Sequence, residues 1–503
     1  MVNKKEIQFV SELTIDDANC IDVLCYGHFN VIHPGHLRYL RFAFDKGKCL
    51  SVLIKSVGGS NEKSRHEFFP ENDRREAVAD IEMVSFSLLQ GGLSIEACVN
   101  IIRPKYLVLG NELEGRAPDD VKALINAVRA IDGEVVFHSG VKHSYLNTIN
   151  EPFLNAVERK QEIFQKAMER RGIKKSRLTE IVNGFSRTKI VVLGDLIIDE
   201  FKSVEPLGVS SEAPVMVVKE LGQKRFVGGA GIVAAHISSL GGHSCLLSVR
   251  GDDEVGEFAE RTLEDKLIDV CLVVDPNRPT TFKTRFVAGS QKIFRVSKLE
   301  DRDVTAEIED KLFNALSAKI KSARGLIISD FVYGVVTDDL LRRVVDLARE
   351  ENVLLFGDVQ CSTQFGDVLK FKGFDLVLPN EREARFALGN KDDGLEHLAQ
   401  LLISKMKCKS VGLTLDSQGM IIYNAKTPSK IDSEHFPALA VSPVDVAGAG
   451  DSMLATMAIA IASGADCFEA SALGSLVANC AVSKVGNIPV ERAELARAIE
   501  VYM

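Results

Sequence analysis

Short runs of apolar residues alternate with stretches of helical periodicity along most of the chain. In the first part, the apolar runs predict four strands, and the periodic stretches between them predict three helices. The predicted strands are 21–25, 50–54, 106–109 and 134–137, and the predicted helices are 34–46, 73–81 and 119–130. This alternation is typical of a parallel sheet with helices on its faces, so we predict an open α/β domain over residues 1–150.

A second α/β series follows a segment in which charged residues replace the apolar pattern. We predict a helical linker over 151–187 and a second domain over 188–503. The second domain is predicted to begin with a strand at 189–193 and to end in helices at 448–463, 468–484 and 490–501. Three short alternating segments, 215–220, 281–287 and 293–299, predict a small flanking sheet that could cover a substrate.

Composition and charge narrow the function classes. The chain has 503 residues, of which 46% are hydrophobic, and this size predicts two or three domains. The net charge of −9 argues against a surface built for nucleic acid. A polar amino terminus and short apolar stretches predict a cytoplasmic protein without a membrane partner. Ten cysteines without a Cys-x-x-Cys pair give no support to a zinc ribbon or a dithiol redox site.

The loop between the first predicted strand and the first predicted helix is a candidate phosphate site. Gly27 allows close approach of the backbone, and Pro34 opens a helix whose free amides favour anions. His33 and His36 lie three residues apart and could donate to phosphate oxygens as charge builds on the α-phosphate. The alternative interpretation of both histidines is that they are ordinary polar residues at a helix start.

The segment from Tyr26 to His36 resembles the corresponding motif of the nucleotidylyltransferase family that includes glycerol-phosphate cytidylyltransferases and heptose-phosphate adenylyltransferases. The resemblance covers 21–149 and implies a Rossmann-like domain that uses ATP or CTP. It implies that His33 and His36 are catalytic and that the nucleotide-binding residues include Gly27, Phe29, Lys63 and Arg74. Lys55 is a further cationic candidate. The chain departs from the family at Asn30, where Asp is common, and in its weak Ser/Thr segment at 144–148.

A second candidate phosphate site precedes a predicted helix near the carboxyl terminus. The amides of Gly448, Ala449 and Gly450 could point together at an anion, because no large side chain stands in the way. Asp451 could take the proton from an attacking hydroxyl, which phosphoryl transfer requires. An ordinary helix cap with a flexible lead-in is the alternative interpretation.

Several distant segments, taken with Gly448 to Asp451, resemble the ribokinase-like sugar kinases over about 178–503. They are most similar to the heptose-phosphate kinase half of the bifunctional enzymes of ADP-heptose synthesis, with the order of the two halves reversed. The resemblance implies a ribokinase-like α/β domain with a small β lid, entered at 211–215. It implies sugar or sugar-phosphate binding by Asp195, Asp199, Gly228, Gly229, Lys283, Arg285 and Arg295. It also implies nucleotide binding by Asn380, Glu383, Thr414, Gly419 and Asn479, with Glu383 acting indirectly on Mg²⁺.

The second domain departs from this kinase family at three positions. Ile232 stands where the family usually has Asn, Gln360 where it has Lys, and Tyr333 where it has another Lys. The loss of these polar donors suggests that the second domain recognises a different sugar, or different hydroxyl groups of the sugar.

Together, the two sites predict a bifunctional enzyme that uses ATP and Mg²⁺. The second domain would phosphorylate a sugar at C1, and the first would transfer a nucleotidyl group to the product, giving an activated sugar such as ADP-heptose for a cell-surface polysaccharide. One alternative is a CDP-alcohol-forming cytidylyltransferase fused to a kinase. Another is a nucleotidyltransferase with a non-catalytic sugar-binding module. The resemblance also implies a homodimer, because small sheets in ribokinase-like proteins often pair between subunits.

Overall fold

The computed structural model describes residues 7–30, 32, 34–55, 69–110, 113, 117–138, 153–209, 215–289, 291–360, 366–427 and 430–503. The chain divides into two compact units. The first comprises Met1–Pro152 with Gly389–Leu401, and the second comprises Phe153–Leu388 with Leu402–Met503. Both units contain parallel strands connected through helices, so the predicted α/β class is confirmed. In the described part of the chain, no helix is both long enough and apolar enough to cross a membrane.

The first unit is built on a five-stranded parallel sheet of order β3-β2-β1-β4-β5. Its strands are β1 (Val23–Gly27), β2 (Leu50–Ile54), β3 (Phe86–Leu89), β4 (Tyr106–Gly110) and β5 (Glu134–His138). Its helices are α1 (Ile15–Cys20), α2 (Pro34–Phe44), α3 (Glu71–Ala79), α4 (Ile95–Ile102) and α5 (Asp119–Ala130). The sequence pattern did not predict β3, a buried strand of only four residues.

The position of β1 in this sheet fixes the place of the first candidate site. Strand order reverses between β1 and β4, and ligands of open α/β sheets bind in the crevice at such a switch point. The loop that follows Gly27 therefore leaves the sheet where a ligand would bind.

The second unit is built on a nine-stranded sheet of order β10-β9-β6-β13-β14-β15-β16-β17-β18. The strands are β6 (Lys189–Gly194), β9 (His243–Arg250), β10 (Asp269–Val274), β13 (Gly325–Asp330), β14 (Leu354–Val359), β15 (Leu376–Val377), β16 (Ser410–Thr414), β17 (Met420–Thr427) and β18 (Lys430–Phe436). The first seven strands of that order run parallel, whereas β17 and β18 add antiparallel.

Helices flank this sheet and supply much of its core. In chain order they are α6 (Phe153–Arg171), α7 (Lys175–Gly184), α8 (Ala230–Ser239), α9 (Glu254–Glu264), α10 (Ala306–Ile320), α11 (Asp338–Glu350), α12 (Glu381–Leu388), α13 (Leu395–Met406, of which Leu395–Leu401 belong to the first unit), α14 (Ala449–Ala462), α15 (Cys467–Ala481) and α16 (Arg492–Tyr502). Helices α8, α14 and α15 are apolar on nearly all sides and pack together in one buried cluster.

A separate four-stranded sheet of order β12-β11-β7-β8 forms the predicted lid. Its strands are β7 (Leu196–Val209), β8 (Met216–Gly229), β11 (Thr281–Ala288) and β12 (Gln291–Lys298). The lid is larger than predicted, because β7 and β8 are each 14 residues long and pair along most of their length.

The segment interpreted as a helical linker contains α6, α7 and a short turn after α7. Phe164 of α6, Leu178 of α7 and Phe185 of the turn are fully buried in the core of the second unit. Arg171 at the end of α6 donates to Glu434 at 3.1 Å and to Asp432 at 2.9 Å. The Glu434 side chain is only 1% exposed, so its charge depends on these partners.

We expect Arg171→Ala to destabilise the second unit by roughly 2 kcal/mol, because it leaves Glu434 buried with Arg170 as its remaining cationic partner. Thermal and chemical unfolding would measure the change. The matched control is Arg342→Ala, whose side chain is 68% exposed and should contribute less than about 0.5 kcal/mol. Equal effects of the two substitutions would contradict this account of Arg171.

Candidate active sites

The second unit gathers its candidate residues at the carboxyl edge of the nine-stranded sheet. Asp195 follows β6, Asp330 ends β13, and Gln360 follows β14, so three neighbouring parallel strands deliver polar side chains to one edge. Helix α14 begins at Ala449 beyond Gly448, whose φ of 79° lies in the left-handed region that favours glycine. A methyl group added to Gly450 would meet no atom within 4 Å, so the start of this helix faces open space.

Asp451 lies in the first turn of α14 with its carboxylate almost fully buried. Its side chain is 5% exposed, and Gln360 Nε2 donates to Asp451 Oδ1 at 2.9 Å. Burial, together with the carboxylate of Asp199, raises the pKa of Asp451 to about 7, although Lys283 opposes the shift. A carboxylate with a pKa near neutrality is well matched to accepting a proton from a hydroxyl.

Asp199 on β7 connects the lid to the helix start. Arg285 on β11 donates to one of its oxygens, and Asn487 Nδ2 donates to the other at 2.8 Å. Asn487 also packs against Gly448, since a methyl group built on that glycine would lie 2.9 Å from Asn487 Oδ1. The structure therefore brings the predicted sugar residue Asp199 and the predicted phosphate loop together through Asn487, which the sequence motifs did not single out.

Gly228, the residue before the last of β8, lies directly beside Asp199, where a methyl group would lie 2.6 Å from Asp199 Oδ2 and 2.9 Å from Asn487 Nδ2. We expect Gly228→Ala to displace Asp199 and to raise the KM for the sugar by about 10-fold, the effect of losing one good hydrogen bond. Steady-state kinetics would measure this. Gly222→Ala, on the same strand but with no atom within 4 Å of the added carbon, is the matched control. Equal KM values for the two variants would contradict the prediction.

Asp195 occupies a different environment from Asp199. Its carboxylate accepts backbone N–H groups from Phe331 at 2.7 Å, Tyr333 at 3.4 Å and Val335 at 3.3 Å. Burial and the neighbouring Asp330 raise its pKa, against the effect of these amides. Gly229 adjoins Asp195, with a φ of 58° and a hypothetical methyl group 2.3 Å from Asp195 O. The arrangement favours Asp195 as a support of the 331–335 loop and Gly229 as a point of close backbone approach, so their contact with a sugar stays a prediction.

The lid presents cations to the same edge. Lys283 and Arg285 are two residues apart on β11, and Arg285 is paired in register with Arg295 on β12, so the three side chains share one face of the lid. The Lys283 side chain is 4% exposed, with Nζ 4.9 Å from the ring centre of Tyr333. On the same strand as Arg295, Lys292 Nζ lies 3.1 Å from Asp445 Oδ1, in the loop before α14.

The residues predicted to bind the nucleotide fall into two groups. In the first, Asn380 and Glu383 form a reciprocal cap at the start of α12, with distances of 2.9 and 2.8 Å, and Asn380 bridges to Thr414. Gly419 belongs to the tight turn after β16, where a methyl group would lie 2.2 Å from Phe436 O. These contacts account for the local structure, and nucleotide binding by Thr414 and Gly419 stays a prediction.

Asn479 belongs to the second group and lines a cavity of about 360 Å³. Residues 440–443, the end of α15 and one face of α16 surround this cavity, and Asn479 Nδ2 donates to Tyr502 OH at 3.3 Å. The volume is at the lower end of the range for small-molecule sites. Thr414 and Gly419 do not line this cavity, and nucleotide binding by Asn479 stays a prediction.

The described residues contain no group of three or more His, Cys, Asp or Glu side chains arranged to hold a metal ion. Glu383 is 6% exposed, and the backbone N–H of Asn380 already donates to its carboxylate. These oxygen donors are of the type that Mg²⁺ accepts, but they suit an ion that arrives with the nucleotide phosphates and keeps several waters.

In the first unit, the loop after β1 folds back on helix α2. Phe29 is 3% exposed with a φ of 50°, which is uncommon for a residue with a side chain, and its ring centre lies 5.0 Å from that of His36. A methyl group on Gly27 would approach the Phe29 ring to 3.1 Å. The structure thus brings Gly27, Phe29 and His36 together at the switch point, whereas His33 and Lys63 lie outside the described residues, as do 144–148 and most of 211–215.

Arg74 is buried within the first unit. Its side chain is 1% exposed and donates to the carbonyl oxygens of Phe69, His28 and Lys55. The guanidinium therefore ties the loops after β1 and β2 to helix α3, and its predicted phosphate contact stays a prediction. Lys55 is likewise engaged, with Nζ 2.7 Å from Asp120 Oδ2.

A glycine-lined helix start with a buried carboxylate, at the edge of a parallel sheet beside a β lid, defines a ribokinase-like kinase architecture. The chain belongs to the pfkB family of carbohydrate kinases, whose model matches residues 187–493. Residues 24–192 match the cytidylyltransferase-like family. Both matches agree with the predicted classes of the two domains.

The chain is similar to curated proteins named bifunctional protein HldE. It is 34% identical over 323 residues to the protein of Nitrobacter winogradskyi, covering 63% of this chain and 64% of that relative. It is 31% identical over 320 residues to the protein of Campylobacter jejuni, covering 61% and 64%. The chain thus matches slightly less than two thirds of the length of these relatives.

Among solved structures, the crystal structure of Escherichia coli phosphofructokinase-2 in complex with potassium covers 63% of this chain and 99% of its own, with a TM-score of 0.52 and 18% identity. At this identity the likeness concerns the fold alone.

Proposed function

We propose that the chain is a two-site enzyme that phosphorylates a sugar, most simply a heptose phosphate, at C1 with ATP and then converts the sugar 1-phosphate into a nucleotide-activated sugar such as ADP-heptose. The observation that carries the proposal is the position of Asp451, a buried carboxylate at the start of α14 with open space before it. The matches to a carbohydrate kinase family and a cytidylyltransferase-like family within one chain support the pairing of activities.

In the proposed kinase step, the Asp451 carboxylate accepts the proton of the sugar hydroxyl as its oxygen attacks the γ-phosphorus of ATP. ADP is the leaving group. The amides of Gly448, Ala449 and Gly450 stabilise the transferring phosphoryl group. Mg²⁺ bound to the nucleotide would supply charge neutralisation, with Glu383 organising it indirectly.

The lid supports a substrate that already carries a phosphate. Lys283, Arg285 and Arg295 share one face, and Arg285 reaches Asp199, so a dianionic group and the sugar hydroxyls can be bound next to each other. We therefore propose that the lid cations bind a phosphate distant from C1.

The dimer implied by the resemblance also remains a proposal, supported by apolar side chains exposed on the β7–β8 hairpin, such as Leu207 and Leu221.

In the proposed nucleotidyl step, an oxygen of the sugar 1-phosphate attacks the α-phosphorus of a nucleoside triphosphate, and pyrophosphate leaves. His33 and His36 would stabilise the charge that builds on the α-phosphate. A screen of hexose and heptose phosphates with all four nucleoside triphosphates, read by mass spectrometry, tests the proposal. A nucleotide-activated sugar supports it, a CDP-alcohol would favour the cytidylyltransferase alternative, and no sugar-dependent ATP consumption would contradict it.

A further inference from the structure

Gln360 contacts the proposed base, Asp451, directly. Its backbone N–H donates to Asp330 O at 2.8 Å, which fixes it at the end of β14 beside β13. Its side-chain Nε2 lies 2.9 Å from Asp451 Oδ1 and 3.4 Å from Asp358 Oδ2. One amide nitrogen carries two hydrogens, so Gln360 can donate one to each of two buried carboxylates that belong to different elements.

The two carboxylates stand in a strongly acidic environment. The charged groups that face Asp451 are Asp199 on β7 and Lys283 on β11, and those that face Asp358 are Glu383 on α12 and Asp451 itself. Lys283 is thus the one cation among these groups. A lysine at position 360 would place a second positive charge against Asp451, whereas glutamine adds a hydrogen bond without a charge.

We propose that Gln360 is a positioning residue of the kinase site: its amide holds Asp451 by Oδ1, leaves Oδ2 for the substrate hydroxyl, and adds no second positive charge beside the carboxylate. The inference rests on the proposed role of Asp451 as the base. A carboxylate held by an uncharged donor is a stronger base than one paired with an ammonium, so this chain is built for proton abstraction near neutral pH.

The pH dependence of kcat/KM for the sugar substrate tests the inference. Gln360→Lys should move the acidic limb of the profile down by about one pH unit or more, because an opposite charge within hydrogen-bonding distance favours the ionised carboxylate. Gln360→Glu should move the same limb up by a similar amount. Gln360→Met should lower kcat by about 10-fold with less change in KM, because the carboxylate is no longer held. Profiles of all three variants that superimpose on the wild type would overturn the proposal.

A second measurement does not depend on turnover. With carboxyl-¹³C aspartate incorporated, the resonance of Asp451 can be assigned by its loss in Asp451→Asn and titrated in the wild type and in Gln360→Lys. A lower midpoint in the lysine variant is expected, and identical midpoints would overturn the proposal. Full activity of Asp451→Asn would instead refute the proposed function, so the two failures are distinguishable. A thermal unfolding transition of the second unit at the wild-type temperature in each variant excludes unfolding as the cause.

Discussion

Replacing Asp451 with asparagine is expected to lower sugar-dependent ATP consumption by on the order of 10³-fold, the usual contribution of a general base. Asparagine preserves the shape of the side chain and can still contact Gln360, but it cannot accept the proton of the attacking hydroxyl. ADP release in the presence of the sugar would measure the loss. An Asp451→Asn protein with undiminished phosphoryl transfer would contradict the assignment.

The pH dependence of the wild type follows from the same carboxylate. Burial and Asp199 raise the pKa of Asp451 to about 7, so the base form is lost, and the kinase rate should fall, as the pH drops below about 7. The sign for stability is opposite. Because the folded-state pKa lies above the ordinary value of 3.8, ionised Asp451 destabilises the fold increasingly from about pH 4 to pH 7. Asp451→Asn should therefore be at least as stable as the wild type at pH 8, which separates lost chemistry from lost folding.

Replacing His36 with alanine is expected to lower pyrophosphate release from a nucleoside triphosphate and a sugar 1-phosphate by on the order of 10²-fold. His36 lies in the first turn of α2 at the switch point of the five-stranded sheet, beside Phe29, where its ring can donate to the α-phosphate. Removing one preorganised donor to a charged transition state commonly costs this much.

The control for His36→Ala is the kinase reaction, which should proceed at the wild-type rate because the residues proposed for that reaction belong to the second unit. Conversely, Asp451→Asn should retain nucleotidyl transfer when sugar 1-phosphate is supplied. Undiminished pyrophosphate release by His36→Ala would refute the role of this histidine.

The features that could be predicted from the sequence are those with a local cause. Alternating strands and helices gave the α/β class, and glycines before an apolar helix predicted the start of α14, where Asp451 is indeed buried at an open edge. The strand β3 was missed because it has only four residues, the lower limit for an apolar run that indicates a strand. The length of β7 and β8 was missed because their exposed portions carry mixed polar and apolar residues without a clear pattern.

Contacts that depend on tertiary packing could not be predicted in the same way. Arg74 matched a phosphate-binding position in the nucleotidylyltransferase resemblance, but the fold surrounds its guanidinium with three carbonyl oxygens. In the sequence, Gln360 was noticed only because it stands where the resemblance implies a lysine. Its contact with Asp451 joins residues 91 positions apart in the chain. Asn487 gave no local signal, since its role depends on the proximity of β7 to the start of α14.

The central claim is that the two sites of one chain act in sequence on the same sugar. The most direct measurement is the formation of nucleotide-activated sugar from a sugar phosphate that lacks a C1 phosphate, by Asp451→Asn alone, His36→Ala alone, and an equal mixture of both. The account predicts that neither variant alone forms the product and that the mixture does, because the sugar 1-phosphate passes between molecules. Product formation by Asp451→Asn alone, at the wild-type rate, would contradict it.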